Sequence, residues 1–189
     1  MIDRAHTLKL WQAAHLNDSA KLAHEHMATR ALSYRTNYYE PVTTALNVPW
    51  YVIAALDMRE ESFNHSGYLG NGDPLWRPTT HVPKHRGPFK NWYDGAIDAL
   101  KFEGFTPAYG EGNHWDIVTA LIACEKYNGL GYSAHGLPSP YVWAGTNIQK
   151  PGKYTSDGHW DASAWDTQPG CAGLFLALKV NHGVDLSEA

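Results

Sequence analysis

Apolar positions recur along this chain at helical spacing far more often than in the alternation of a strand. The strongest run is PWYVIAALDM, in which Val52, Ile53, Ala55 and Leu56 share a face and Pro49 occupies the first turn, where a helix tolerates proline best. The run meets Arg59-Glu60-Glu61-Ser62, and Gly67, Gly70, Asn71-Gly72-Asp73-Pro74 and Pro78 then forbid helix. The pattern predicts a central helix over about 49–63 and a small β-hairpin directly after it.

The same periodicity predicts one or two helices over about 3–35. Leu8, Trp11, Ala14 and His15 lie on one face, and Leu22, His26, Ala28 and Leu32 continue it beyond the capping signal Asn17-Asp18-Ser19. Arg35–Leu46 reads as a short helix, and 91–102 as another with Trp92, Ala96, Ala99 and Leu100 inward. Residues 114–127 carry Ile117, Leu121, Ile122 and Cys124, and stop at Asn128-Gly129. In the irregular stretch 129–169, Pro138–Trp143 suits a short helix and 153–160 a hairpin; a last helix covers about 169–180. No βαβ alternation is present, so the expected class is α+β and mainly α-helical. A single domain over 1–189 is expected, with N-terminal helices (1–46) packed on a 47–180 core.

Composition narrows the function more than the fold. Of 189 residues, 43% are hydrophobic and 18% charged, enough apolar material for a packed core. The net charge of -4 argues against nucleic acid, which demands a basic face. No apolar run of membrane-spanning length occurs, so no stable membrane insertion is expected. The N-terminus lacks a signal-peptide core, so the expected localisation is cytoplasmic until release by other means. Cys124 and Cys171 sit in apolar helical contexts and read as buried thiols, with a disulfide between them the alternative. Eight Trp and eleven Tyr serve packing or the stacking of sugar rings; Trp76, Trp92, Trp143 and Trp160 stand in turn-rich surroundings and are the better stacking candidates.

The chemistry-bearing residues are carboxylates. Glycosidic hydrolysis needs an acid to protonate the leaving oxygen and a second group on the opposite face of the sugar. Glu60 follows an apolar helix and precedes a turn, a setting that raises a carboxyl pKa. Asp73 lies in an exposed turn and should stay ionised, and Thr79 and Thr80 could orient water; Asp73 reads equally well as a turn former. Glu111, on a Gly-rich loop, is a fallback second carboxylate. His15, His24 and His26 diverge on a helix, and His81 and His85 are separated by Pro83 with no following Glu, so no metal or cofactor is expected.

Arg59-Glu60-Glu61-Ser62-Phe63-Asn64 followed by Asn71-Gly72-Asp73-Pro74-Leu75 resembles the peptidoglycan hydrolases of the lysozyme-like superfamily. So do the later segments Tyr127-Asn128-Gly129-Leu130-Gly131-Tyr132 and Pro138-Ser139-Pro140-Tyr141-Val142-Trp143. The two helix ends are reminiscent of goose-type lysozymes and lytic transglycosylases, and the order Glu60, Asp73, Thr79 is similar to that of phage-type lysozymes. The resemblance covers roughly 45–180. It implies a lysozyme-like fold, a monomer acting on peptidoglycan, Glu60 as acid with Asp73 and Thr79 holding water, and a substrate cleft lined by Glu61, Ser62, Trp76, Tyr127, Asn128, Tyr141 and Trp143. A transglycosylase-type Arg-x-Glu-Ser reading would instead make Glu61 the acid; the spacing to Asn71-Gly72-Asp73 favours Glu60. The segment before Asp73 is longer than in phage-type enzymes, and the Gly-Leu-Met-Gln-like segment of transglycosylases is absent, which favours hydrolysis by water. The rivals are a non-catalytic glycan-binding module, a metal-dependent wall hydrolase using histidines such as His114, His135 or His159, and a chitinase-like specificity.

Overall fold

A computed structural model describes residues 3–106, 114–156 and 158–186. The fold is α+β and mostly helical, with one two-stranded antiparallel sheet among the described residues. The chain divides into two compact units, Met1–Ala28 with Ile117–Asp185, and Thr29–Asp116 with Leu186–Ala189. Residues 1–28 join the C-terminal helices, and 29–46 join the glutamate helix.

The first unit contains α1 (Arg4–Ala13), the opening turns of α2 (Lys21–Tyr34), α6 (Ile117–Asn128), α7 (Pro140–Trp143) and α8 (Cys171–His182). Asp3 caps α1 by accepting the Ala5 N–H at 2.9 Å, satisfying one of the donors a helix start leaves unpaired. Helix α6 packs on α1, α7 and α8, and its residues Val118–Cys124 are all buried. Cys124 and Cys171 are both buried thiols, with no disulfide between them. The hairpin expected over 153–160 is present as β1 (Lys153–Ser156) and β2 (His159–Asp161).

The second unit contains the π-helical turn Arg35–Tyr39, α3 (Glu40–Leu46), α4 (Trp50–Glu60) and α5 (Trp92–Phe102). Helix α4 is the core of this unit: every residue from Trp50 to Met58 is buried. It is therefore apolar all round rather than amphipathic, apart from Asp57.

Two expectations around α4 are corrected. The helix stops at Glu60, because Ser62 and Phe63 adopt positive φ (52° and 61°) and reverse the chain. No ladder follows it. A single bridge joins Gly67 to Pro74, since Gly72 at φ 73° and the prolines at 74 and 78 prevent continuous pairing. The 67–89 segment is held by side chains instead. Tyr68 stacks on Phe89 with ring centroids 5.1 Å apart, and Asp98 on α5 accepts from the Tyr68 hydroxyl at 2.9 Å and from Arg86 Nε at 2.9 Å.

Candidate functional site

The end of α4 places two adjacent glutamates in different environments. Successive residues on a helix point about 100° apart, so a wholly buried helix can present only one of them to the surface as it ends. Glu60, the last helical residue, is half-buried, whereas Glu61 is 7% exposed. Neither Glu61 carboxyl oxygen reaches solvent or a hydrogen-bond partner. Burial pushes its pKa up to about 10, helped by the negative charge of Asp57 one turn earlier and, less, by Glu60. The Trp92 indole N–H lies near the carboxyl without making a hydrogen bond, and offsets only part of that rise. Glu61 is thus a neutral, closed-off acid.

Beneath it lies a polar cluster that the sequence reading did not single out. Asp57 is completely buried, and its Oδ2 accepts from the Tyr39 hydroxyl at 2.7 Å and meets His65 Nε2 at 3.0 Å. A carboxylate only accepts, so the His65 proton in this contact sits on Nε2. Asp57 Oδ1 has no partner. His65 stacks on Tyr38 (3.7 Å, 14°) and meets Tyr34 and Trp92 edge-on, so an aromatic box fixes the ring that fixes Asp57. The neighbouring carboxyl and phenol raise the Tyr39 pKa further after burial has done most of the work. One signal was available in the sequence: a lone Asp inside YVIAALDM, which cannot be buried without partners.

The loop after α4 folds back onto the same helix end. A Cβ on Gly67 would come within 2.9 Å of Glu61 Oε2, and one on Gly72 within 3.7 Å of the Glu60 carbonyl. Gly72 therefore delivers Asp73 to the neighbourhood of Glu60. Asp73 is buried, and its carboxylate accepts from Thr80 N (2.6 Å), Thr80 Oγ1 (3.3 Å), His81 N (2.9 Å) and His81 Nδ1 (2.7 Å). The His81 backbone donor leads the set of bonds that hold it well below the usual carboxylate range. It is ionised, as expected from its turn, but enclosed rather than exposed.

The Thr79 hydroxyl is fully engaged, donating to the Pro83 carbonyl at 2.5 Å and accepting from Arg86 N at 3.0 Å. It closes the 79–86 loop. Ser62 and Trp76 are exposed, Trp76 at 70%. Trp92, a stacking candidate, is instead packed against Tyr38, Tyr39 and His65.

The remaining expected cleft residues belong to the first unit. Tyr127 is half-buried and Asn128 exposed at the end of α6. Tyr141 and Trp143 are core residues, 4% and 2% exposed, because the short apolar helix α7 is clasped by α6 and α8. Trp160 is covered on one face by His135, whose ring stacks on it at 3.8 Å. Glu111 lies outside the described residues.

Among the described residues no group of three or more His, Cys, Asp or Glu side chains could hold a metal ion. No helix among them is long and apolar enough to cross a membrane. Comparison with known protein families, curated proteins and solved structures gave no match.

Proposed function

We propose that the chain is a glycoside hydrolase of the lysozyme type, cleaving the β-1,4 bond between the amino sugars of peptidoglycan, with Glu60 as the general acid. The observation that carries this reading is the division of labour at the end of α4: Glu60 half-exposed, Glu61 sealed and neutral beside it. An acid must reach the oxygen it protonates, and Glu61 reaches nothing outside the core. Glu60 therefore meets the surface beside a neutral neighbour, at the tip of an otherwise buried rod.

In this mechanism Glu60 donates a proton to the leaving glycosidic oxygen. Asp73, ionised on the loop that Gly72 brings back to the helix end and enclosed by Thr80 and His81, acts through its negative charge on the positive charge that develops on the sugar rather than by touching the attacking water. Thr79 holds the loop that holds Asp73, since its hydroxyl is already spent on Pro83 and Arg86. Exposed Trp76, on the same loop, offers a flat face to a sugar ring.

Replacing Glu60 with Gln should preserve the fold and lower wall lysis by about 10²- to 10⁴-fold, the usual contribution of general acid catalysis. Mass spectrometry of the digested wall should show reducing muramic acid ends that the variant does not release. Full lysis by Glu60→Gln together with an inactive, folded Glu61→Gln would transfer the acid to Glu61. Release of peptide fragments alone would reject the glycosidase reading.

A further inference from the structure

A cavity of about 280 Å³ in the first unit has no place in the mechanism above. Its floor is the buried Trp143, and Leu10 of α1 and Leu137 add apolar wall. Into it also faces Glu125 of α6, half-buried. Burial raises the Glu125 pKa, His6 is the one group opposing that rise, and among the described residues Glu125 makes no hydrogen bond and no ion pair. Of the other polar groups at the cavity, Ser133 Oγ donates to the Leu130 carbonyl at 2.7 Å, Thr7 Oγ1 donates to the Asp3 carbonyl at 3.1 Å, Asp3 caps α1, and exposed His6 acts on Glu125 only through its charge. A half-buried carboxylate with no hydrogen bond is costly, and folded chains ordinarily satisfy one. The larger cavity of the same unit, about 530 Å³, shows the contrast. Its two charged side chains, Lys21 and Asp18, satisfy each other at 2.7 Å, so nothing there asks for a ligand.

We propose that the α1–α6 cavity is a binding site for a primary alkylammonium group, with Glu125 pairing the ammonium and Leu10, Leu137 and Trp143 enclosing its methylenes. The volume suits a stem of four or five carbons rather than a drug-sized ligand, which takes more room. The sources of such a group are a lysine-like peptide side chain and a free amine. The site stands independently of the glycosidase reading, because every residue that forms it lies in the first unit and none takes part in the proposed chemistry.

The test is an NMR titration of the full chain with n-pentylammonium chloride and, separately, n-pentanol, following the Glu125 amide and the Trp143 indole. The ammonium should shift these signals, and the alcohol should bind about tenfold or more weakly, the loss of one charge-assisted hydrogen bond. Glu125→Gln should abolish the difference between the two probes. Equal affinity for both, or no shift with the ammonium, overturns the proposal even if the variant fails to fold. Nα-acetyl-lysine methylamide then separates the sources: binding tighter than pentylammonium supports a peptide side chain, and weaker binding supports a free amine.

Discussion

At the scale of single residues, the proposed chemistry turns on the pair Glu60-Glu61. They are the same residue type in adjacent positions, so the direction in which each leaves the helix end distinguishes them. Spacing favoured Glu60; the burial of Glu61 supplies a physical reason. Glu61 also makes a prediction about stability. A carboxyl with a pKa of about 10 when folded and 4.5 otherwise holds its proton more tightly in the folded chain. It favours folding fully below the ordinary value, and that contribution drains away as pH rises towards 10. By pH 7 the loss amounts to about 3 kcal/mol. Glu61→Gln keeps the shape and removes the titration, so the variant should resist urea better than the parent at pH 8 and gain little at pH 5. A variant weaker than the parent at pH 8 would mean that Glu61 is ionised and paired. Asp73 has the opposite sign: its lowered pKa adds stability that is present above the ordinary carboxyl range and lost as pH falls through the folded value. Asp73→Asn should therefore speed hydrogen exchange at the Thr80 and His81 amides, which it anchors. Unchanged protection there would show that the loop does not depend on the charge.

At the scale of elements, helices with strong apolar periodicity were legible to within a few residues. The 91–102 and 138–143 predictions correspond to α5 and α7, and the 153–160 hairpin to β1 and β2. Local signals fix such elements. The misjudged hairpin after α4 has a local cause too: turn residues announce that a chain reverses, not that it pairs, and one bridge is all that Gly72 and two prolines allow. What no window of sequence could show is close approach. His24, 1% exposed, is wedged against two distant glycines: a Cβ on Gly173 of α8 would fall 2.1 Å from its Nε2, and one on Gly145 2.4 Å from its Cε1. Gly173→Ala would gain about 1 kcal/mol in helix propensity. Overpacking a side chain that is itself enclosed costs about 1–3 kcal/mol, so the net change should be a loss, read as a lower urea midpoint. Removing the obstacle in the double variant His24→Ala/Gly173→Ala should restore most of what Gly173→Ala alone takes away. Additive losses would place the strain elsewhere.

At the scale of the molecule, the division into two units was hidden from a reading that follows the chain in order. It unites residues 1–28 with 117–185, a pairing across the whole of the second unit's sequence, and such long-range closure leaves no periodic trace. The proposed acid and its loop belong to one unit and the Tyr127–Trp143 segments to the other, so shared order along the chain grouped residues that the fold assigns to separate cores. Charge, by contrast, is a property of the whole sequence and was legible at once. With a net charge of -4, the protein has no general attraction to an anionic wall, and recognition must come from short-range contacts such as stacking and hydrogen bonds. Raising ionic strength from about 0.01 to about 0.15 M shortens the screening length from about 30 to about 8 Å, which weakens long-range steering and leaves contacts at hydrogen-bond distance intact. The rate of wall clearing, measured by turbidity over that range, should therefore hold level or rise as like-charge repulsion is screened. A steep fall would reveal that a local basic face, not the net charge, brings the protein to the wall.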